Sequence, residues 1–281
     1  MSRLLALVLI FLALAVVAGA GSLSLLPEQV ADGEPAMVRW HGEPPAFGVL
    51  RFNERVIDFV PDQDGAVALL PVPLDLPSGD YPVLIALADR RGRTVAGELR
   101  LRVVRKERPV DRLTLPEQMV SPQKPEVLAR IASERERLQE LFADSGPRLW
   151  QDFRRPVDDP VSSVFGKRRI LNGEPRAPHS GTDFRSPTGT PVRAIAGGRV
   201  VLVADLFYTG LTVILDHGAG LFSLYAHLSS FDVRADQMLD AGDLLGRVGS
   251  TGRSTGPHLH LTVRLHGERV DPLALLDLFG S

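Results

Sequence analysis

Residues 258–265 read HLHLTVRL. Side chains alternate between the faces of a β-strand, so His258 and His260 share one face while Leu259, Leu261 and Val263 share the other. The strand rise puts the Cα atoms of the two histidines roughly 6.5–7 Å apart, close enough for both rings to converge on one small site. The apolar parity marks a strand with one face in a core. Just before the pair, Thr255-Gly256-Pro257 is a turn signal that can bring backbone close to it. Alone, the pattern leaves metal ligation, proton transfer and packing open.

Similar strand patterns precede it: PVRAIAGGRVVLVAD (191–205), LTVILDHG (211–218), LFSLYAHL (221–228) and LLGRVGS (244–250). Glycine becomes frequent from about residue 148, and no helix pattern of comparable strength interrupts these segments. Residues 148–281 are therefore expected to form an antiparallel β domain. It holds six of the chain's seven histidines, so the chemistry is expected there.

Residues 22–106 read as a different β domain. AMVRW (36–40), FGVLRF (47–52), VIDFV (56–60), AVALLPV (66–72), YPVLIALAD (81–89) and ELRLRVV (98–104) have strand character. Asp62-Gln63-Asp64-Gly65, Pro77-Ser78-Gly79-Asp80 and Arg90-Arg91-Gly92 punctuate them as turns. Short strands at this spacing suggest an immunoglobulin-like β-sandwich. His41, its one histidine, reads as structural. Residues 107–147 are a connection and a helix. Pro125 suits a first-turn position, and Val127, Ile131, Leu138 and Phe142 recur at helical spacing. That stripe is too short for a coiled coil and reads as a strut packed on a neighbouring domain.

A net charge of −2 with no basic block argues against a nucleic-acid partner. The chain has no cysteine. That removes disulfides, a thiolate nucleophile, a Cys-based zinc site and a lipid-acylated anchor, so any metal must be held by His, Asp or Glu. At the start, MSRLLALVLIFLALAVVAGA combines Arg3, an apolar run from Leu4 to Ala18 and the small-residue pattern Ala18-Gly19-Ala20. Residues 1–20 therefore read as a signal peptide, or as a membrane tether if left uncleaved. Either places the remainder outside the cytoplasm, in the periplasm or cell envelope.

Three motifs carry the candidate chemistry: PHSGTDF with His179 and Asp183, YAHL with His227, and the pair His258 and His260. Zinc takes His nitrogen and carboxylate oxygen, and its catalytic sites use three protein ligands and keep one position open. His179, Asp183 and one histidine of the pair would supply such a set. A helical H-E-x-x-H is absent, so a histidine would have to act as general base. His217 and His266 lie in turn-like contexts and are expected at the surface.

VFGKRR, PHSGTDF, GTPVRAIAGGRVV, LYAHLS, GDLLGRVGSTGRSTGPHLH and VDPLALL occur in this order. Over about residues 150–278 the chain thereby resembles the lysostaphin-type zinc metallopeptidases, whose catalytic unit is called the LytM domain. The resemblance implies that His179, Asp183 and His260 are the zinc ligands. It also implies that His227 and His258 are catalytic, activating the attacking water and stabilising the oxyanion. The implied reaction is hydrolysis of peptide bonds in the cross-links or stem peptides of peptidoglycan, whose peptides would be the partner. The alternative is a non-catalytic LytM-type activator, or a wall-binding regulator, of other cell-wall hydrolases. Family members often read HLHFE where this chain has HLHLT. That departure falls beyond the last ligand and is expected to matter little. Gly249, Gly252 and Gly256 are read as bends beside an extended substrate or as simple turns.

Overall fold

A computed structural model describes residues 21–114, 124–143 and 145–280. The leader reading of residues 1–20 lies outside the described residues. No helix among the described residues is long and apolar enough to cross a membrane. The protein is mainly β, and the chain divides into two compact units, one up to Lys106 and one from Glu107.

In the first unit the strands are β1 (Ser22–Leu26), β2 (Gln29–Ala31), β3 (Pro35–His41), β4 (Phe47–Phe52), β5 (Arg55–Asp58), β6 (Val60–Asp62), β7 (Gly65–Pro71), β8 (Gly79–Ala88) and β9 (Thr94–Val104). They form two sheets, ordered β1-β3-β7-β6 and β2-β9-β8-β4-β5. Leu25, Val38, Trp40 and Leu70 of the first sheet pack with Leu50, Ile57, Ile85 and Leu101 of the second in one core. This is a β-sandwich held by the alternation of inward apolar residues. The stretch VIDFV is not one strand. β5 pairs with β4 in one sheet and β6 with β7 in the other, so the chain changes sheets around Phe59. Pro61, which has no N–H to donate, sits in β6 at the sheet edge.

The strands of the second unit are β10 (Val110–Leu113), β11 (Val161–Ser163), β12 (Arg168–Leu171), β13 (Glu174–Arg176), β14 (Thr182–Phe184), β15 (Pro191–Arg193), β16 (Gly198–Leu206), β17 (Gly210–Gly218), β18 (Leu221–Phe231), β19 (Met238–Leu239), β20 (Leu244–Val248), β21 (Leu259–Leu265) and β22 (Glu268–Val270). The larger sheet runs β11-β14-β21-β18-β17-β16-β19, with β15, β20 and β22 attached. Its pairs are antiparallel. A small sheet β10-β12-β13 lies beside it in sequence, with β10 parallel to β12. β10 falls where the sequence reads only as a connection, because its partner is remote in the chain and four residues carry no strand period.

The helix α1 (Pro125–Leu141) starts with proline at its first turn. It belongs to this second unit. Leu138, Leu141 and Phe142 pack on Leu202, Leu206, Ile214 and Phe222, and Phe142 meets Phe222 edge to face at 5.2 Å. The Glu134 carboxylate accepts the Phe207 N–H at 2.9 Å, tying α1 to the turn between β16 and β17. A second helix, α2 (Pro272–Leu278), is capped by the Asp271 carboxylate and buries Leu275 and Leu276.

Candidate metal centre

β21 lies between β14 and β18, and this order assembles the site. Asp183 on β14 is the cross-strand partner of His260, and Ala226 on β18 is its partner on the other side. Leu259, Leu261 and Val263 are fully buried on the opposite parity. His258 precedes the strand and forms an isolated bridge with Gly249.

His179 is carried by the loop before β14. Two backbone bonds, Gly166 N–H to His179 O and His179 N–H to Lys167 O, both 2.8 Å, fix it. Gly181 lets this loop approach β21, since a Cβ there would come 2.1 Å from Leu261 O. His227 sits in a bulge. Between the pairs Leu211–Leu228 and Val213–Tyr225, β18 has two residues where β17 has one. His227 adopts φ 61° there, a conformation rare for a non-glycine residue. Bulges re-aim side chains beside functional sites; here the His227 N–H leaves the ladder and donates to Thr209 O at 2.8 Å.

Three atoms converge. His179 Nε2 lies 3.0 Å from Asp183 Oδ1, His260 Nδ1 lies 2.7 Å from the same oxygen, and the two nitrogens are 3.1 Å apart. The His179 Nδ1–H donates to Val164 O at 3.0 Å, so its Nε2 presents a lone pair. His260 places its Nε2 2.9 Å from Thr262 Oγ1, leaving Nδ1 to face the cluster. A carboxylate oxygen and two imidazole lone pairs thus point at one spot. Such a set repels itself unless a proton or a cation sits among them. Ligands at 2.0–2.1 Å around a tetrahedral ion lie about 3.3 Å from one another, close to what is found. The donor set therefore fits a divalent metal. Among the described residues it is the one convergent group of three or more His, Cys, Asp or Glu ligand atoms.

The other two histidines are oriented the same way. The His227 Nδ1–H donates to Thr251 O and the His258 Nδ1–H to Gly256 O, each at 2.8 Å. Both therefore present Nε2. The His258 Nε2 is 3.8 Å from Asp183 Oδ1, and the His227 and His258 ring centroids are 4.6 Å apart. Burial raises the Asp183 pKa, but hydrogen bonds and charge from His179 and His260 outweigh it and hold the carboxyl well below the usual range. Burial lowers His227 to about 4 and also lowers His260, so each is neutral at pH 7.

The five residues singled out in the sequence are thus brought together. Two expectations need correction. His217 is not at the surface; it is fully buried, with Nδ1 2.8 Å from Gly197 O and Nε2 2.7 Å from Ser223 Oγ. Its turn-like context DHG ends β17 inside the sheet, and polar partners make the burial tolerable. His266 is only partly exposed. At the HLHLT departure, Thr262 Oγ1 lies 2.9 Å from the outer nitrogen of His260. Strand parity carries the signal: Thr262 shares the face of His258 and His260. Of the three glycines in the loop before β21, Gly252 is required for close approach, since a Cβ there would come 2.3 Å from Gly210 N at φ 71°. A Cβ at Gly256 would meet nothing within 4 Å. A cavity of about 940 Å³ around Phe153, Arg155, Arg193 and Phe279 is lined by none of the four clustered histidines.

The model of peptidase family M23 matches residues 177–272, the span that contains every residue of the cluster. The Vibrio cholerae peptidoglycan DD-endopeptidase ShyA is 38% identical over 138 residues, covering 48% of this chain and 32% of ShyA. The Escherichia coli murein hydrolase activator EnvC is 36% identical over 132 residues, covering 47% of this chain and 29% of EnvC. The chain thus spans about a third of the length of these curated relatives. A solved structure of a putative peptidase M23 from Pseudomonas aeruginosa is 31% identical with a TM-score of 0.67, covering 89% of this chain and 96% of that one. Likeness over nearly the full length of both chains, together with the family match over the span that holds the three converging ligand atoms, means that the chain belongs to peptidase family M23.

Proposed function

We propose that this protein is a zinc-dependent endopeptidase that hydrolyses peptide bonds in peptidoglycan and works outside the cytoplasm, in the periplasm or cell envelope. The observation that carries this reading is the convergence of His179 Nε2, Asp183 Oδ1 and His260 Nδ1 beside two further histidines that present Nε2. A purely structural zinc is usually closed by four protein ligands, whereas three ligands with proton acceptors alongside suit catalysis. The peptidoglycan substrate is supported by similarity to a DD-endopeptidase.

His179, Asp183 and His260 would hold the ion, which when bound polarises the peptide carbonyl and makes water a stronger nucleophile at neutral pH. The chain's own residues do the rest. As water attacks the carbonyl carbon, its proton passes to Nε2 of His227 or His258. The Nδ1 bonds to Thr251 O and Gly256 O keep those lone pairs aimed and stabilise the imidazolium that forms. The histidine that took the proton is then a donor. It steadies the oxyanion and returns the proton to the leaving amine nitrogen as the C–N bond breaks. With the two rings this close, positive charge on His258 lowers the pKa of His227.

Similarity to EnvC supports a second reading, a non-catalytic activator of other hydrolases. The filled set of five residues favours hydrolysis. The test is zinc content and digestion of purified sacculi. His260→Ala is expected to lose both metal and activity. His227→Ala is expected to keep about one zinc per chain and lose roughly 100-fold or more in rate. Full digestion by His227→Ala would refute its proton-transfer role.

A further inference from the structure

Of the three converging ligands, His179 is the one outside a strand. Its ring is held by Val164 O, and its backbone by Gly166 and Lys167. The Lys167 carbonyl, which accepts the His179 N–H at 2.8 Å, belongs to the same peptide group as the Arg168 N–H. That N–H donates to Pro109 O at 3.0 Å. A peptide group is planar and rigid. One plane therefore bridges residue 109, just before β10, and the ligand His179, with a hydrogen bond on each side.

β10 continues that contact. It runs parallel to β12, pairing Val110 with Arg168 and Asp111 with Arg169. The Asp111 carboxylate meets the Lys167 ammonium at 2.7 Å, and these side chains are only 32% and 18% exposed. Lys167 is thus gripped at its side chain by β10 while its carbonyl grips His179. Packing of Pro109, Val110 and Arg112 does not account for the strand, since all three are exposed. Polar contacts hold β10 in place, and those contacts lead to His179.

We propose that β10 is a strap on the metal centre, and that Asp111, acting through Lys167, is a positioning residue for His179. The inference rests on the reading of His179 as a metal ligand. A ligand already fixed in its binding geometry loses less freedom when the ion arrives, so loosening its support weakens metal binding.

The test is the zinc affinity of the full chain, measured by competition with a chromophoric chelator. Asp111→Ala is expected to raise the zinc Kd about tenfold, the lower end of what losing such support costs. Lys167→Met, which keeps the stem and removes the ammonium, is expected to match it. The double variant is expected to lose no more than either alone, because the two side chains act as one contact. Asp111→Glu restores a carboxylate and is expected to recover most of the affinity. Arg112→Gln, exposed on the same strand, is expected to bind zinc like the wild type. Thermal unfolding of the metal-free chain separates positioning from folding, and its midpoint is expected to change little in Asp111→Ala. Unchanged zinc affinity in Asp111→Ala would overturn the proposal. So would an additive loss in the double variant, an equal loss in Arg112→Gln, or a loss matched by collapse of the metal-free midpoint. A wild type that binds no zinc removes the metal reading and the strap with it. Zinc binding indifferent to Asp111 and Lys167 removes the strap alone.

Discussion

At the scale of residues, the site depends on which nitrogen each histidine is free to offer. Four outer nitrogens are anchored: His179 on Val164 O, His227 on Thr251 O, His258 on Gly256 O and His260 on Thr262 Oγ1. Loss of such a partner typically costs 10–100-fold in metal affinity. Thr262→Val, which keeps the shape and removes the hydroxyl, is expected to weaken zinc binding by about that factor; competition with a chromophoric chelator would measure it. Unchanged affinity would show that Thr262 only packs. Strand parity made the pair His258 and His260 legible and short spacing made His179 and Asp183 so, while the place of His227 and the division of the pair came from the family resemblance. The carbonyl anchors belong to loops that meet only in the fold, and no side-chain identity announces them.

At the scale of elements, β14, β21 and β18 set cross-strand neighbours, and the bulge in β18 turns His227 toward them. The bulge is supported from outside the sheet. Thr209 O receives the His227 N–H, and the turn that carries Thr209 is held by Glu134 of α1 through Phe207 N–H. Arg130 Nε donates to the same carboxylate at 2.6 Å. Glu134→Ala is expected to cost about 1–2 kcal/mol of stability and to lower kcat several-fold with zinc content and KM little changed. Thermal unfolding and steady-state kinetics would check it, and unchanged kcat would restrict Glu134 to a structural role. Helical spacing predicts α1, and its Leu138 and Phe142 do face the sheet. The bulge leaves no mark in YAHL, because it depends on a mismatch of one residue between β17 and β18.

At the scale of the whole molecule, the second unit carries a fully buried histidine, His217. Burial pushes its pKa down to about 4, below the ordinary value near 6.5. Neutral, it has one N–H, spent on Gly197 O, so Nε2 accepts from Ser223 Oγ. As pH falls, the unfolded chain takes up a proton before the folded chain does. Its contribution is therefore complete above about pH 6.5 and is lost by about pH 4, a change on the order of 3 kcal/mol. Denaturant midpoints across that window should fall more steeply for the wild type than for His217→Gln; equal slopes would remove His217 as the cause. The mainly β architecture was legible from alternation and turn residues, while the sheet change at Phe59 and the strand β10 were not, since both depend on distant partners. Mass spectrometry of the soluble products released from purified sacculi by the zinc-loaded chain tests the proposed hydrolysis itself. Fragments newly cut at a peptide bond are expected, abolished by chelator and by His260→Ala. Absence of such fragments, or their release regardless of chelator, would contradict it.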